Sequence, residues 1–174
     1  MNSKQRWAFI TLGILMVAAL WMWQKHPEWF REDIGETEVP ATNYEPRFIK
    51  EGELWLLSET KDTLQQVAIE IADNTDERTY GMMYRKHMDE NTGMLFIMPG
   101  EQRQSFYMKN TYVSLDILYI NSNFKIIDIV EKAEPLKVKS LPSKAPAKYV
   151  LELKGGYCEK YGITEGMGIT FQRL

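Results

Sequence analysis

From Leu64 to the C-terminus the chain is a succession of short apolar runs separated by turn-forming residues. Val67, Ile69 and Ile71 alternate with Ala68, Glu70 and Ala72, the period-2 pattern of a strand. Met94 to Met98, Gln104 to Met108 and Asp116 to Ile120 read as further strands, and Asn121-Ser122-Asn123 as a tight turn. Lys125 to Glu131 is predicted to return antiparallel to the strand before it. Pro135, Pro142 and Pro146 mark a loop, and Tyr149 to Lys154 resumes the alternation. Gly155-Gly156 turns the chain, Cys158 to Tyr161 makes a helical turn, and Ile169 to Gln172 closes the domain. Asp73-Asn74-Thr75 offers an N-cap for a helix from Asp76 to Tyr84. Many short strands with tight turns predict an antiparallel sheet curled into a barrel. The fold class is mainly β, of α+β type, with short helices.

The chain has 174 residues, room for one ordinary domain and an appendage. Apolar residues make up 44% and charged residues 26%, which is globular composition. Lys4 and Arg6 are the only charges in the first 24 residues, which leaves 19 of the 21 basic residues against all 24 acidic ones. No basic stripe is visible, so nucleic acid is not an expected partner. The single cysteine, Cys158, cannot form an internal disulfide.

Trp7 to Trp23 carries no charge over 17 residues, the short end of the ~17–25 that span a bilayer. Lys4 and Arg6 precede it, which sets the N-terminus in the cytoplasm, and Trp7, Trp21 and Trp23 sit at its ends. Small residues before a cleavage point are poorly placed, since Leu20-Trp21 follows Ala18-Ala19 directly. The expectation is an uncleaved single-pass anchor over 1–24 in the inner (cytoplasmic) membrane. It would hold the domain in the periplasm or another extracytoplasmic space. Residues 25–63 form an acidic connector punctuated by Pro27, Pro40 and Pro46, within which Glu53 to Ser58 is a candidate strand. The domain proper is expected over 64–174.

Arginines, methionines, aromatics, a Lys-Asn pair and an aspartate interleave with apolar runs between Arg78 and Asp116. Polar groups set against a hydrophobic wall are how small-molecule sites are lined. Glu70 and Glu152 lie on strand faces opposite apolar neighbours and need partners. Arg78 and Arg85 are seven apart, hence on one face if the helix runs through both. Two readings stand. One is a scaffold of guanidinium–carboxylate pairs that closes the fold. The other is a pocket for an anionic or polar ligand, drawing on Glu70, Arg78, Arg85, Phe106, Tyr107, Lys109, Asn110, Asp116 and Glu152. Lys109, Asn110 and Arg85 would then be donors, and Phe106 and Tyr107 a wall. No nucleophile motif, metal-spaced histidine pair or Gly-rich phosphate loop is present in the sequence, so neither a resident metal nor a cofactor is expected. Met82, Met83, Met88, Met94, Met98 and Met108 with His87 form a candidate Cu(I) set, set against core filling by adaptable side chains.

These blocks resemble the DUF192 (UPF0127) family. The resemblance runs from Val67 to Gln172. It is carried by Ile69-Glu70-Ile71-Ala72, Glu77-Arg78, Gly81-Met82-Met83-Tyr84-Arg85, Gly93-Met94-Leu95-Phe96, Met108-Lys109-Asn110-Thr111, Leu115-Asp116-Ile117, Val150-Leu151-Glu152-Leu153 and Gly155-Gly156. It departs from the family pattern at Tyr107, Ser114 and Met167, where the family carries Trp, Pro and Asp. The resemblance implies a small, mainly β, barrel-like domain with short helices, often exported, and implies no activity.

The anchor leads to the expectation of a non-enzymatic binding or accessory subunit of a membrane-associated protein assembly, concentrated near its partner by the tether. The alternatives are an envelope enzyme or small-ligand binder with a pocket around Arg85, Lys109, Asn110 and Asp116, and the Cu(I)-binding protein.

Overall fold

The computed structural model describes residues 45–174. The segment Trp7–Trp23, and the connector as far as residue 44, lie outside the described residues. Strands β1 (Gly52–Leu57), β2 (Thr63–Ala72), β3 (Thr92–Gln102), β5 (Leu115–Ile120), β6 (Ile126–Ala133), β8 (Ala147–Lys154) and β9 (Gly168–Arg173) form one sheet in the order β6-β5-β8-β3-β2-β1-β9. The two-residue strands β4 (Ser105–Phe106) and β7 (Leu141–Pro142) pair beside it. Two short helices, α1 (Thr75–Tyr80) and α2 (Tyr157–Tyr161), complete the elements.

Alternation along the strands divides the interior in two. Val67, Ile69, Ile71, Leu95, Leu118, Ile120, Leu151 and Leu153 point to one face and pack with Leu54, Leu56 and Ile169. Ala72, Met94, Phe96, Leu115, Ile117, Tyr119 and Val150 point to the other and pack with Met82, Met88 and Met108. Both faces of the central strands are therefore covered, and all six residues of β5 are buried. The described domain thus has two cores, one on each face of the sheet.

Three expectations are corrected. The sheet is not closed into a barrel. Its edge strands meet only at one end, where Lys125 bridges Gly168 and Ile126 donates to the Met167 carbonyl at 2.9 Å. Among the described residues the ladder goes no further, since β6 pairs only with β5 and β9 only with β1. The sheet is also not wholly antiparallel, because β2 and β3 run parallel from Ala68↔Thr92 to Ala72↔Phe96. The chain between them carries α1, and a crossover of that length is what a parallel pair requires. Finally, the helix stops at Tyr80 rather than Tyr84. Its start is as expected, with Asn74 and Glu77 forming a reciprocal capping box. Gly81 ends it at φ +46°, so Arg85 is not on the helix and shares no face with Arg78.

The candidate strand at Glu53 to Ser58 is β1, which sits between β2 and β9 with Leu54 and Leu56 fully buried.

Candidate functional site

Register sets the polar centre of the second core. Met94 on β3 pairs with Glu70 on β2 and with Glu152 on β8, and Glu152 pairs in turn with Ile117 on β5. The two glutamates therefore flank Met94 on one sheet face. Both are buried, and so is Arg85, which follows the turn after α1. Arg85 Nη2 donates to Glu70 Oε1 at 2.9 Å, and Nη1 lies 2.5 Å from Glu70 Oε2. The Ile49 amide also donates to Glu70 Oε1, at 3.0 Å. Glu70 is thus engaged from two directions.

Glu152 is not. It is 4% exposed, and its Oε2 has no hydrogen-bond partner among the described residues. Desolvation pushes its carboxyl up to about 8, against the pull of the Arg85 charge. Burial therefore favours the protonated carboxyl, which can donate as well as accept.

A cleft of about 200 Å³ opens onto Glu152. One wall is the end of α1 and the turn after it, from Arg78 to Met83. The opposite wall is Ser105, Phe106 and Tyr107 with Thr111, and β3 contributes Phe96 and Met98. Phe106 meets Phe96 edge to face, with centroids 5.0 Å apart at 88°. Gly81 is required here, because a Cβ would lie 2.9 Å from Phe96 Cζ and its positive φ disfavours a side chain. Tyr80 and Tyr107 stand exposed at the rim. Arg78 directs Nη1 to the carbonyls of Asp73 and Ile97.

The nine sequence candidates therefore divide. Arg78, Phe106, Tyr107 and Glu152 line the cleft. Glu70 and Arg85 form the buried pair beside it. Lys109 is exposed, and Asn110 donates to the Tyr84 hydroxyl at 2.8 Å. Asp116 pairs with Leu153 and so faces the first core, on the other side of the sheet from Glu152. Its carboxylate accepts from the amides of Lys132 (2.7 Å), Gly156 (3.0 Å) and Cys158 (2.8 Å), tying β6 and the start of α2 to β5. Burial, then the Asp116 charge, pushes the Cys158 thiol well above its usual range, so it is no ready nucleophile.

The cleft residues outside the nine ligand candidates are Thr79, Tyr80, Gly81, Phe96, Ser105 and Thr111, together with Met82, Met83 and Met98, which the sequence offered only as a copper set. The one available signal was the Gly81-Met82-Met83 run beside a helix end. Met82, Met88, Met94 and Met108 are packed in the second core, while the His87 side chain is 88% exposed and lies 3.4 Å from Glu45. The structure does not bring that imidazole to the thioethers.

The stretch of chain that builds this cleft lies within a region similar to known proteins. A family model described as Uncharacterized ACR, DUF192, matches residues 56–171. The chain belongs to the DUF192 family. A UPF0127 protein of Pyrococcus furiosus is 26% identical over 121 residues, which cover 68% of this chain and 99% of the relative. A UPF0127 protein of Pyrococcus abyssi is 29% identical over 99 residues, covering 56% of this chain and 80% of the relative. Two crystal structures are similar. One is of a Sinorhizobium meliloti protein provisionally described as a transcription regulator. It has a TM-score of 0.67 at 33% identity, over 74% of this chain and 98% of that one. The other is of a Novosphingobium aromaticivorans protein of unknown function. It has a TM-score of 0.64 at 25% identity, over 68% of this chain and 83% of that one. All four matches span most of the other protein, so this DUF192 domain is the greater part of each.

Proposed function

We propose that this DUF192 domain is a non-catalytic binding module that takes a small molecule into the cleft above Glu152. One observation carries the reading: a buried carboxyl with an unpartnered oxygen faces a cavity walled by Phe96, Phe106, Tyr107 and three methionines. Leaving such a group unsatisfied costs about 1–3 kcal/mol, and a ligand that completes its bonding recovers that loss. The cleft is smaller than the ~300–1,000 Å³ of sites for drug-sized ligands, so the occupant is small. Of the pocket expected around Arg85, Lys109, Asn110 and Asp116, Arg85 pairs with Glu70 and Asp116 faces the first core, so this proposal is built on Glu152 instead.

The test is protein-observed NMR with small aromatic and aliphatic probes on the full chain in mild detergent. Binders should perturb Phe96, Phe106 and Tyr107, and Gly81→Ala should weaken their binding. A probe set that touches none of these residues counts against the cleft.

In the same proposal the segment Trp7–Trp23 tethers the domain on the outer side of the cytoplasmic membrane, beside a membrane-associated partner assembly. No helix among the described residues is long and apolar enough to cross a membrane, so attachment would rest on that segment. Removing residues 1–24 should move the protein from the membrane fraction to the soluble one. Retention in the membrane after that deletion would end the tether proposal.

A further inference from the structure

We propose that the molecule taken by this cleft is an organic cation, an ammonium on a short aromatic or aliphatic body, with its charge seated on Glu152. This rests on the cleft being a ligand site and names the class of ligand.

The first ground is a charge count. Two buried carboxylates, Glu70 and Glu152, share one sheet face with one buried guanidinium. Arg85 gives both terminal nitrogens to Glu70. Among the described residues no ion pair includes Glu152, and its Oε2 accepts no hydrogen bond. With Glu152 ionised the cluster would be one positive charge short, and the missing partner would belong at the side chain that lines the cleft. A buried charge is tolerated where it is paired and hydrogen-bonded, and an ammonium N–H would supply both.

The walls give a second ground. Phe96, Phe106, Tyr80 and Tyr107 line the cleft with Met82, Met83 and Met98. Aromatic rings attract cations through the negative charge of their faces, and thioethers are polarisable. An anion would meet a carboxyl, and the one cation lining the cleft, Arg78, already directs Nη1 to two backbone carbonyls. This lining therefore favours a cation over the anionic member of the anionic or polar ligands that the sequence suggested.

The ligand-free state fits the same scheme. With no cation present, Glu152 satisfies the cluster by holding a proton. An arriving ammonium displaces that proton to solvent, so binding strengthens as pH rises.

The experiment compares benzylammonium, benzyl alcohol and benzoate by NMR titration of the full chain in mild detergent micelles. Benzylammonium should bind about tenfold or more tighter than the other two, and Glu152→Gln should abolish that preference. Its affinity should rise from about pH 6 to about pH 8, where the amine stays protonated. If benzyl alcohol or benzoate binds as tightly as benzylammonium, the cation assignment fails while the cleft stands. A flat or falling pH profile, or a Glu152→Gln chain that keeps the preference, also overturns the assignment. If none of the three perturbs Phe96, Phe106 or Tyr107, both the assignment and the cleft reading fall. Should Glu152→Gln not fold, the three-probe comparison and the pH profile of the unaltered chain decide.

Discussion

Arg85 holds Glu70 through both terminal nitrogens, at 2.9 and 2.5 Å, on the sheet face that also carries Glu152. The guanidinium therefore answers two buried carboxylates at once, one by direct contact and one through its field. Arg85→Met keeps much of the side-chain volume and removes the charge. It should destabilise the domain by about 3–5 kcal/mol, the cost of leaving a buried ion without its partner. Denaturant unfolding would measure this. A loss under about 1 kcal/mol would mean that solvent reaches the pair.

Glu152 gives stability a pH dependence of unusual sign for a carboxylate. Its pKa is raised in the folded chain, from 4.5 to about 8. Between those values the folded chain holds a proton that the unfolded chain releases. Stability should therefore fall as pH rises through this window, and this group should add no slope above about 8 or below 4.5. The total is on the order of a few kcal/mol. Glu152→Gln removes the titration and should flatten the profile. Urea midpoints at a series of pH values read both chains, and identical slopes would show that Glu152 does not titrate in this range.

The strands were legible because alternation is local. Val67 to Ala72 and Tyr149 to Lys154 announce their faces within six residues, and they identify Glu70 and Glu152 as acids on the side away from their apolar neighbours. That both reach one level beside Met94 was not legible, because register between β2, β3 and β8 is set by pairings far apart in sequence. The same holds for Asp116. Its neighbours are apolar on both sides, so no local pattern told which core it faced. The helix was overread because Met83 and Tyr84 continue a helical spacing that Gly81 interrupts. Closure was overread because short strands curl a sheet, while closing it needs a continuous ladder between the edges.

Asp116 should prove a keystone of the fold rather than of the cleft. Its two oxygens accept three backbone amides, from Lys132, Gly156 and Cys158. Asp116→Asn keeps the shape but turns an NH2 toward donors that need an acceptor. The expected cost is about 2–4 kcal/mol, since buried amides lose charge-assisted bonds. Amide exchange at Gly156 and Cys158 should quicken beyond the global effect. Benzylammonium binding to the folded fraction should be unchanged, because the carboxylate lies on the other side of the sheet. A variant that loses probe affinity while staying folded would place Asp116 in the site.

Gly81 joins the fold to the cleft. Its φ of +46° lets the chain leave α1 and turn along the wall, and its missing side chain leaves room for the Phe96 ring. Gly81→Ala forces a Cβ to 2.9 Å from Phe96 Cζ and puts a side chain where the backbone disfavours one. The strain should cost about 1–3 kcal/mol. The Phe96 ring is buried and meets Phe106 edge to face. The open space beside the ring is the cavity, so a shift away from the new Cβ should narrow the cleft. The variant should stay folded with a lowered melting temperature and bind benzylammonium about tenfold or more weakly. A folded Gly81→Ala chain with full probe affinity would mean that the ligand sits elsewhere than between the helix end and Phe106.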